Sequence, residues 1–287
     1  MTILEAVQSV GAPWLDRLAL TVTHLGSEYA YIAMLVVIYL AVDARAGRIT
    51  ALALLAGFFL NQHAKEAFDT VRPYVRHPEL LRGGTAAADT GTGPAFPSGH
   101  AQGAATFWSL LAAFGRRAWL TGIAGAAIVA IATTRLYLGV HWPIDVVGGA
   151  ALGLAVALVA WTVARRRFTL PVAALLGVVV ALPLALHLLA PTPDSGLLAG
   201  AFAGVATAPL LHRHRVRGTL VQRAGLALLG LVLAGIWLLG TSVTLPEEVK
   251  DHRLVVPARY LILAWAGMAG APALASWLRR RSSRDPG

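Results

Sequence analysis

The sequence predicts an all-α, polytopic membrane bundle, and three observations carry that prediction. Hydrophobic residues make up 57% of the 287 and charged residues only 13%, too little charge to cover a soluble domain. Apolar runs of near-spanning length recur along the chain. Basic residues collect between alternate runs, which is how cytoplasmic loops are marked.

Residues 1–27 mix Leu15, Leu18, Leu20 and Val22 with Asp16, Arg17 and His24, and read as an N-terminal interfacial helix, with a short first span as the alternative. The start, Met1 to Glu5, lacks a basic stretch ahead of an apolar core, so no cleaved signal is expected. About nine transmembrane helices follow, near 29–42, 49–66, 100–115, 118–138, 144–164, 169–189, 196–211, 224–240 and 260–278. Several are short for a hydrocarbon core of about 30 Å and require tilt or local thinning. Arg45/Arg48, Arg116/Arg117, Arg165–Arg167, Arg213/Arg215/Arg217/Arg223 and Arg279–Arg281 with Arg284 then fall on one side. The positive-inside rule makes that side cytoplasmic, with the N-terminus outside and the C-terminus inside. Lys65, Arg72, His100, Arg135, His141 and Asp145 all land on the opposite face.

The formal charge of +10 belongs to these clusters and reads as topology and contact with anionic membrane lipids, not nucleic-acid binding. With no cysteine there is no disulfide framework, thiolate chemistry or cysteine metal site. The longest outside loop, 74–97, is rich in Gly, Pro, Thr and Ala and reads as a non-helical cover for a site. Gly148, Gly149, Ala150 and Gly153 lie inside a span and suggest close helix packing.

Three polar clusters remain at the outer boundary. Lys65 and Arg72, ahead of Pro73, are seven residues apart, about two helical turns or roughly 10 Å, and would share one helix face. Phe96-Pro97-Ser98-Gly99-His100 opens a span, where unpaired N–H groups and the positive dipole end make an anion site. Arg135-Leu-Tyr-Leu-Gly-Val-His141-Trp-Pro-Ile-Asp145 joins two spans. If a helix begins at Pro143, its first turn brings Asp145 beside His141. A carboxylate on one ring nitrogen leaves the other as a lone-pair nucleophile or base, and Arg135 offers a planar fork to an oxyanion. Taken singly, each cluster also fits an ordinary helix end with snorkelling cations.

In this order and spacing the three clusters resemble the type 2 phosphatidic acid phosphatase superfamily, related to vanadium haloperoxidases and glucose-6-phosphatase. The motifs run from Lys65 to Asp145, and the resemblance covers about the first 168 residues, a phosphatase core; residues 169–287 hold additional helices. The third motif usually opens Ser-Arg; here it is Thr134-Arg135, which keeps a hydroxyl. The resemblance implies that His141 attacks phosphorus to form a phosphohistidine and that Asp145 orients it. His100 protonates the leaving oxygen and then activates water. Lys65, Arg72, Ser98, Gly99 and Arg135 hold the phosphoryl oxygens. It implies no cofactor and no metal; three cations and a helix N-terminus answer the electrostatic need.

The expected activity is hydrolysis of a lipid phosphate or pyrophosphate at the outer face of a bacterial inner membrane, the lipid keeping its tails in the bilayer. A lipid phosphotransferase or a sugar-phosphate phosphatase would use the same pocket. A lipid transporter or scramblase is the non-enzymatic alternative, but 169–240 carries no series of intramembrane charges. Oligomeric state leaves no mark in the sequence.

Overall fold

The computed structural model describes residues 3–166 and 171–282, which are helical with no strand among them. The chain forms two compact units, residues 1–31 with 57–166 and residues 32–56 with 167–287. In chain order the first helices are α1 (Ile3–Gln8), α2 (Pro13–His24), α3 (Glu28–Val37, continued by a π-helical turn, Ile38–Val42) and α4 (Ala44–Phe68). Then come α5 (Pro73–Arg76), α6 (Gly84–Asp89), α7 (Gly99–Gly115), α8 (Ala118–Tyr137) and α9 (Pro143–Arg165). The remainder holds α10 (Val172–Leu176), α11 (Leu182–Leu189), α12 (Ser195–Leu211), α13 (Leu220–Thr244), α14 (Glu247–Lys250), α15 (Val255–Trp265) and α16 (Ala271–Ser282).

The first unit is built on α7, which packs along both α8 and α9. Gly149 and Gly153, one turn apart on α9, make the α7–α9 approach possible. A Cβ at Gly149 would sit 2.3 Å from the Ser98 carbonyl oxygen, and one at Gly153 2.3 Å from that of Gln102. These are backbone-on-backbone contacts of the small-residue kind that lets membrane helices touch. Thr106 ties the pair by donating from its hydroxyl to the Gly153 carbonyl (3.1 Å). The expected close packing is thus found at Gly149 and Gly153, while Gly148 faces the Phe96 ring. Because the approach includes the N-terminal ends of the two helices, it also brings the second and third polar clusters together.

The second unit repeats the device. A Cβ at Gly200 of α12 would lie 2.0 Å from the Pro257 carbonyl oxygen, and one at Gly204 2.6 Å from that of Leu261 on α15. Tyr39, Leu40, Val205, Ala208, Ala227 and Met268 form its buried cluster.

Helices coincide with all nine expected spans, apart from residues 169–170, which lie outside the described residues, as do Arg167 and Arg284 of the basic clusters. Among the described residues, four helices are long and apolar enough to cross a membrane by themselves: Ala118–Tyr137, Pro143–Arg165, Leu220–Thr244 and Val255–Arg281. The bent pair Pro13–His24 with Glu28–Val42 makes a fifth if it is one span. Length and apolarity alone therefore carry four or five crossings rather than nine. At about 1.5 Å per residue, α7 with 17 residues is short, and α4 carries Arg45, Arg48, Lys65 and Glu66 near its ends.

Three local expectations change. The single N-terminal interfacial helix is two helices, broken before Pro13, and α2 buries Ala19 and Thr23 against its surroundings. Pro suits the first turn of a new helix, which explains the restart. The 74–97 loop is not wholly non-helical, since it contains most of α5, a 3₁₀ turn at Pro78–Leu80 and α6. Lys65 and Arg72 do not share a helix face. Helix α4 ends at Phe68, Asp69 is left-handed (φ 38°), and Arg72 is extended (φ −71°, ψ 153°). The residue before a proline is pushed out of the α region, which accounts for the extended Arg72, while the helix itself has already ended at Phe68.

Candidate active site

The site gathers at the start of α7, the α8–α9 turn and the segment after α4. Helix α8 ends in a turn that needs glycine: Gly139 has φ 72°, and a Cβ there would lie 2.0 Å from the Leu80 carbonyl oxygen. The turn folds back so that the Val140 and His141 N–H groups both reach the Arg135 carbonyl (3.2 and 3.3 Å). Helix α9 then starts at Pro143, and Asp145 in its first turn accepts the Trp142 backbone N–H through Oδ2 (2.7 Å). That same oxygen is 3.4 Å from Nδ1 of His141. Across the close packing, the Ser98 N–H donates to the Asp145 carbonyl (2.9 Å), joining the second and third clusters directly.

Nε2 of His141 is 3.0 Å from Nη1 of Arg72. A guanidinium can only donate, so Nε2 carries the lone pair and the ring proton of the neutral imidazole sits on Nδ1, facing Asp145. His141 is 2% exposed, and burial drives its pKa well below the ordinary histidine range. The nearby charges of Arg72, Arg135, Lys65 and His100 push the same way. The ring is thus a neutral imidazole at physiological pH, with its lone pair on Nε2 and a carboxylate against Nδ1.

The three cations surround the 90–94 backbone. Arg72 donates from Nε to Gly93 O (2.7 Å), from Nη2 to Thr92 O (2.7 Å) and Pro94 O (3.1 Å), and from Nη1 to Val140 O (2.9 Å) as well as to His141. Burial pulls its pKa down to about 10, leaving it charged at neutral pH. Lys65 Nζ reaches the same Pro94 carbonyl (2.6 Å), so the first-cluster pair does converge, through a turn rather than along one helix. Arg135, with no exposed surface, donates from Nη1 to the hydroxyls of Thr23 (2.5 Å) and Thr90 (3.0 Å) and from Nη2 to Thr90 O (2.9 Å). A Cβ at Gly91 would meet Arg72 Nη1 at 2.8 Å and Arg135 Nη2 at 3.4 Å, so the backbone passes between the two guanidiniums.

Ser98 is the N-cap of α7, its hydroxyl 3.5 Å from the Ala101 N–H. Gly99 and His100 follow in the first turn, where backbone N–H groups lack helical partners. Each of the eight predicted site residues therefore lies in the first unit. His141, Asp145, Arg72, Ser98 and Arg135 are tied together by hydrogen bonds, Lys65 joins through Pro94, and Gly99 and His100 adjoin on the α7 start.

Sequence reasoning did not single out Thr23, Thr90, Asn61 or Gln102. Asn61 donates to Gln102 Oε1 (2.6 Å) and to Pro97 O (3.2 Å), fixing α4 to the start of α7. Its place one turn before Lys65 was a usable signal. For Thr23, 112 residues from Arg135, there was none. Among the described residues no three His, Asp or Glu side chains converge as metal ligands.

Phosphatidylglycerophosphatase B of Bacillus subtilis is 29% identical over 165 residues, which is 53% of this chain and 76% of that protein. Undecaprenyl-diphosphatase of Sulfolobus acidocaldarius is 30% identical over 146 residues, 48% of this chain and 66% of that protein. The crystal structure of Aquifex aeolicus LpxE superposes with a TM-score of 0.49 at 23% identity, covering 56% of this chain and 93% of that one. Residues 46–169 match the PAP2 superfamily, and residues 194–283 match the transmembrane extension of PAP2 superfamily phosphatases. The chain belongs to the PAP2 superfamily, the type 2 phosphatidic acid phosphatases.

Proposed function

We infer that the protein is an integral-membrane phosphatase that hydrolyses a lipid phosphate or pyrophosphate through a covalent intermediate on His141. The observation that carries this reading is the state of that ring. Its Nε2 lone pair points into a cluster of cations, while Nδ1 faces a carboxylate. Nε2 attacks phosphorus as the bond from phosphorus to the leaving lipid oxygen breaks, and His100 donates its proton to that oxygen. The Nδ1 proton stays with the ring, where Asp145 stabilises the new positive charge. Water then attacks phosphorus, His100 takes a proton back, and the phosphorus–nitrogen bond breaks to release phosphate. Lys65, Arg72, Arg135 and the Ser98–Gly99 helix start neutralise the phosphoryl oxygens, the main task in phosphoryl transfer.

The lipid class rests on the helices beside the site and on two relatives whose names specify phosphatidylglycerophosphate and undecaprenyl diphosphate. In this reading the first 168 residues are the phosphatase core and the rest is a membrane extension. All nine apolar stretches cross the bilayer, with the site on the non-cytoplasmic side of a bacterial inner membrane.

Phosphate release from phosphatidylglycerophosphate, phosphatidic acid and undecaprenyl diphosphate in detergent micelles containing EDTA tests this. At least one lipid should be hydrolysed, and His141→Ala should abolish it. Wild-type protein that releases phosphate from none, or a His141→Ala variant as active as wild type, refutes the assignment.

A further inference from the structure

Arginine presents five N–H groups, and the contacts of Arg135 distribute them unevenly. Nη1 uses both of its hydrogens, on Thr23 and Thr90, and Nη2 uses one, on the Thr90 carbonyl. Nε is buried and has no partner among the described residues. What remains is the edge formed by Nε–H and the second Nη2–H, two parallel donors spaced for two oxygens of one phosphoryl group. Thr90 takes the end of the guanidinium and Thr23 its flank, which leaves the fork on one side only.

Thr23 lies at the end of α2, outside the 46–169 match and outside all three motifs, yet it is fully buried. The same segment also touches His100. A Cβ at Gly26, just past α2, would lie 3.2 Å from His100 Cδ2 and 2.8 Å from Ile131 Cγ2. Two further ties hold the segment. Asp16 accepts from Arg82 Nε (2.9 Å) and from the Tyr137 hydroxyl (2.5 Å), and Gln8 donates to Leu80 O (2.7 Å) and Tyr137 O (2.9 Å). Helices α1 and α2 are thereby braced on the C-terminal turn of α8, which carries Arg135.

We propose that α2 completes the phosphate site, with Thr23 a positioning residue that, together with Thr90, turns the Nε/Nη2 edge of Arg135 toward the substrate phosphoryl group. The proposal rests on the assignment of Arg135 to that group. Thr23→Val keeps the shape and removes the acceptor; Thr23→Ser keeps the acceptor.

The test measures kcat, KM and inhibition by orthovanadate, on whichever of the three lipids wild type hydrolyses fastest, in the wild-type and Arg135→Lys backgrounds. Thr23→Val should lower kcat/KM and weaken orthovanadate inhibition by about tenfold, the loss expected when a hydrogen bond to a charged group goes. Thr23→Ser should stay within about twofold of wild type, and Thr23→Val should add less than about twofold in the Arg135→Lys background, because the two residues act as one unit. If Thr23→Val does not accumulate in the membrane, Thr23→Ala is read the same way. Thr23→Ser behaving like Thr23→Val, Thr23→Val matching wild type, or equal losses in both backgrounds overturns the positioning role. An Arg135→Lys variant indistinguishable from wild type instead removes the assignment of Arg135, and the proposal with it.

Discussion

Arg72 donates from Nη1 to Nε2 of His141 at 3.0 Å, so a candidate phosphate ligand sits on the very lone pair that the proposed attack requires. The other donors of Arg72 are spent on the Thr92, Gly93, Pro94 and Val140 carbonyls. Phosphoryl oxygens, being charged acceptors, outcompete neutral carbonyls for these N–H groups. In the proposed reaction, substrate binding is therefore expected to draw Arg72 off His141 and expose Nε2 in the same step. Arg72→Ala should lower kcat/KM by about 10²–10³, the cost of removing one preorganised oxyanion donor. Arg72→Lys should recover little, because an ammonium cannot reproduce the fork. Steady-state kinetics on the two variants check both expectations.

Asp145 Oδ2 faces Nδ1 of His141 at 3.4 Å and caps the Trp142 N–H at 2.7 Å. Asp145→Asn keeps the cap only through the oxygen that also faces Nδ1, so the tautomer is retained while the negative charge that stabilises the imidazolium is lost. A drop in kcat on the order of 10³–10⁴ is expected, by analogy with the carboxylate-to-amide change in a serine protease triad. A variant within about tenfold of wild type, against that expected loss, would show that Asp145 serves the helix start and not the ring.

In the proposed reaction, the depressed pKa of His141 should set the acid limb. In the folded protein the ring stays neutral below about 6.5, the value for an unperturbed histidine. The acid limb of a kcat/KM profile assigned to this nucleophile should therefore lie below pH 6.5. Stability follows the same shift. Below about pH 6.5 the unfolded chain binds a proton at His141 that the folded protein refuses, so stability falls with pH until the folded pKa is reached. His141→Gln should flatten that part of a melting-temperature profile in detergent.

Gly149 is where α9 meets the Ser98 carbonyl, with room for no Cβ. Gly149→Ala should destabilise by about 1–3 kcal/mol and pull the Ser98–Asp145 hydrogen bond apart, lowering kcat as well as Tm. Gly148→Ala, which meets the Phe96 ring instead of backbone, should be milder, since a side chain can shift and a buried helix backbone cannot. Thermal unfolding of the two variants side by side decides between them.

Composition, the polar clusters and the family resemblance they carry pointed to a helical membrane protein, to the eight candidate site residues and to the pairing of His141 with Asp145. Each of these depends on local chemistry: apolar run length, a proline at a helix start, a residue four positions on. Where a property depended on partners distant in the chain, the sequence was silent or misleading. Lys65 and Arg72 looked like neighbours on one helix, yet they meet only because the chain turns at Asp69 and the 92–94 backbone lies between them. Which nitrogen of His141 holds the lone pair followed from Arg72, 69 positions away. Which edge of Arg135 is left for an anion followed from Thr23 on a helix that no motif includes. Hydrogen bonds between segments this far apart exist only once packing has brought the segments together. Here that packing depends on glycines without a Cβ to keep the helix backbones apart.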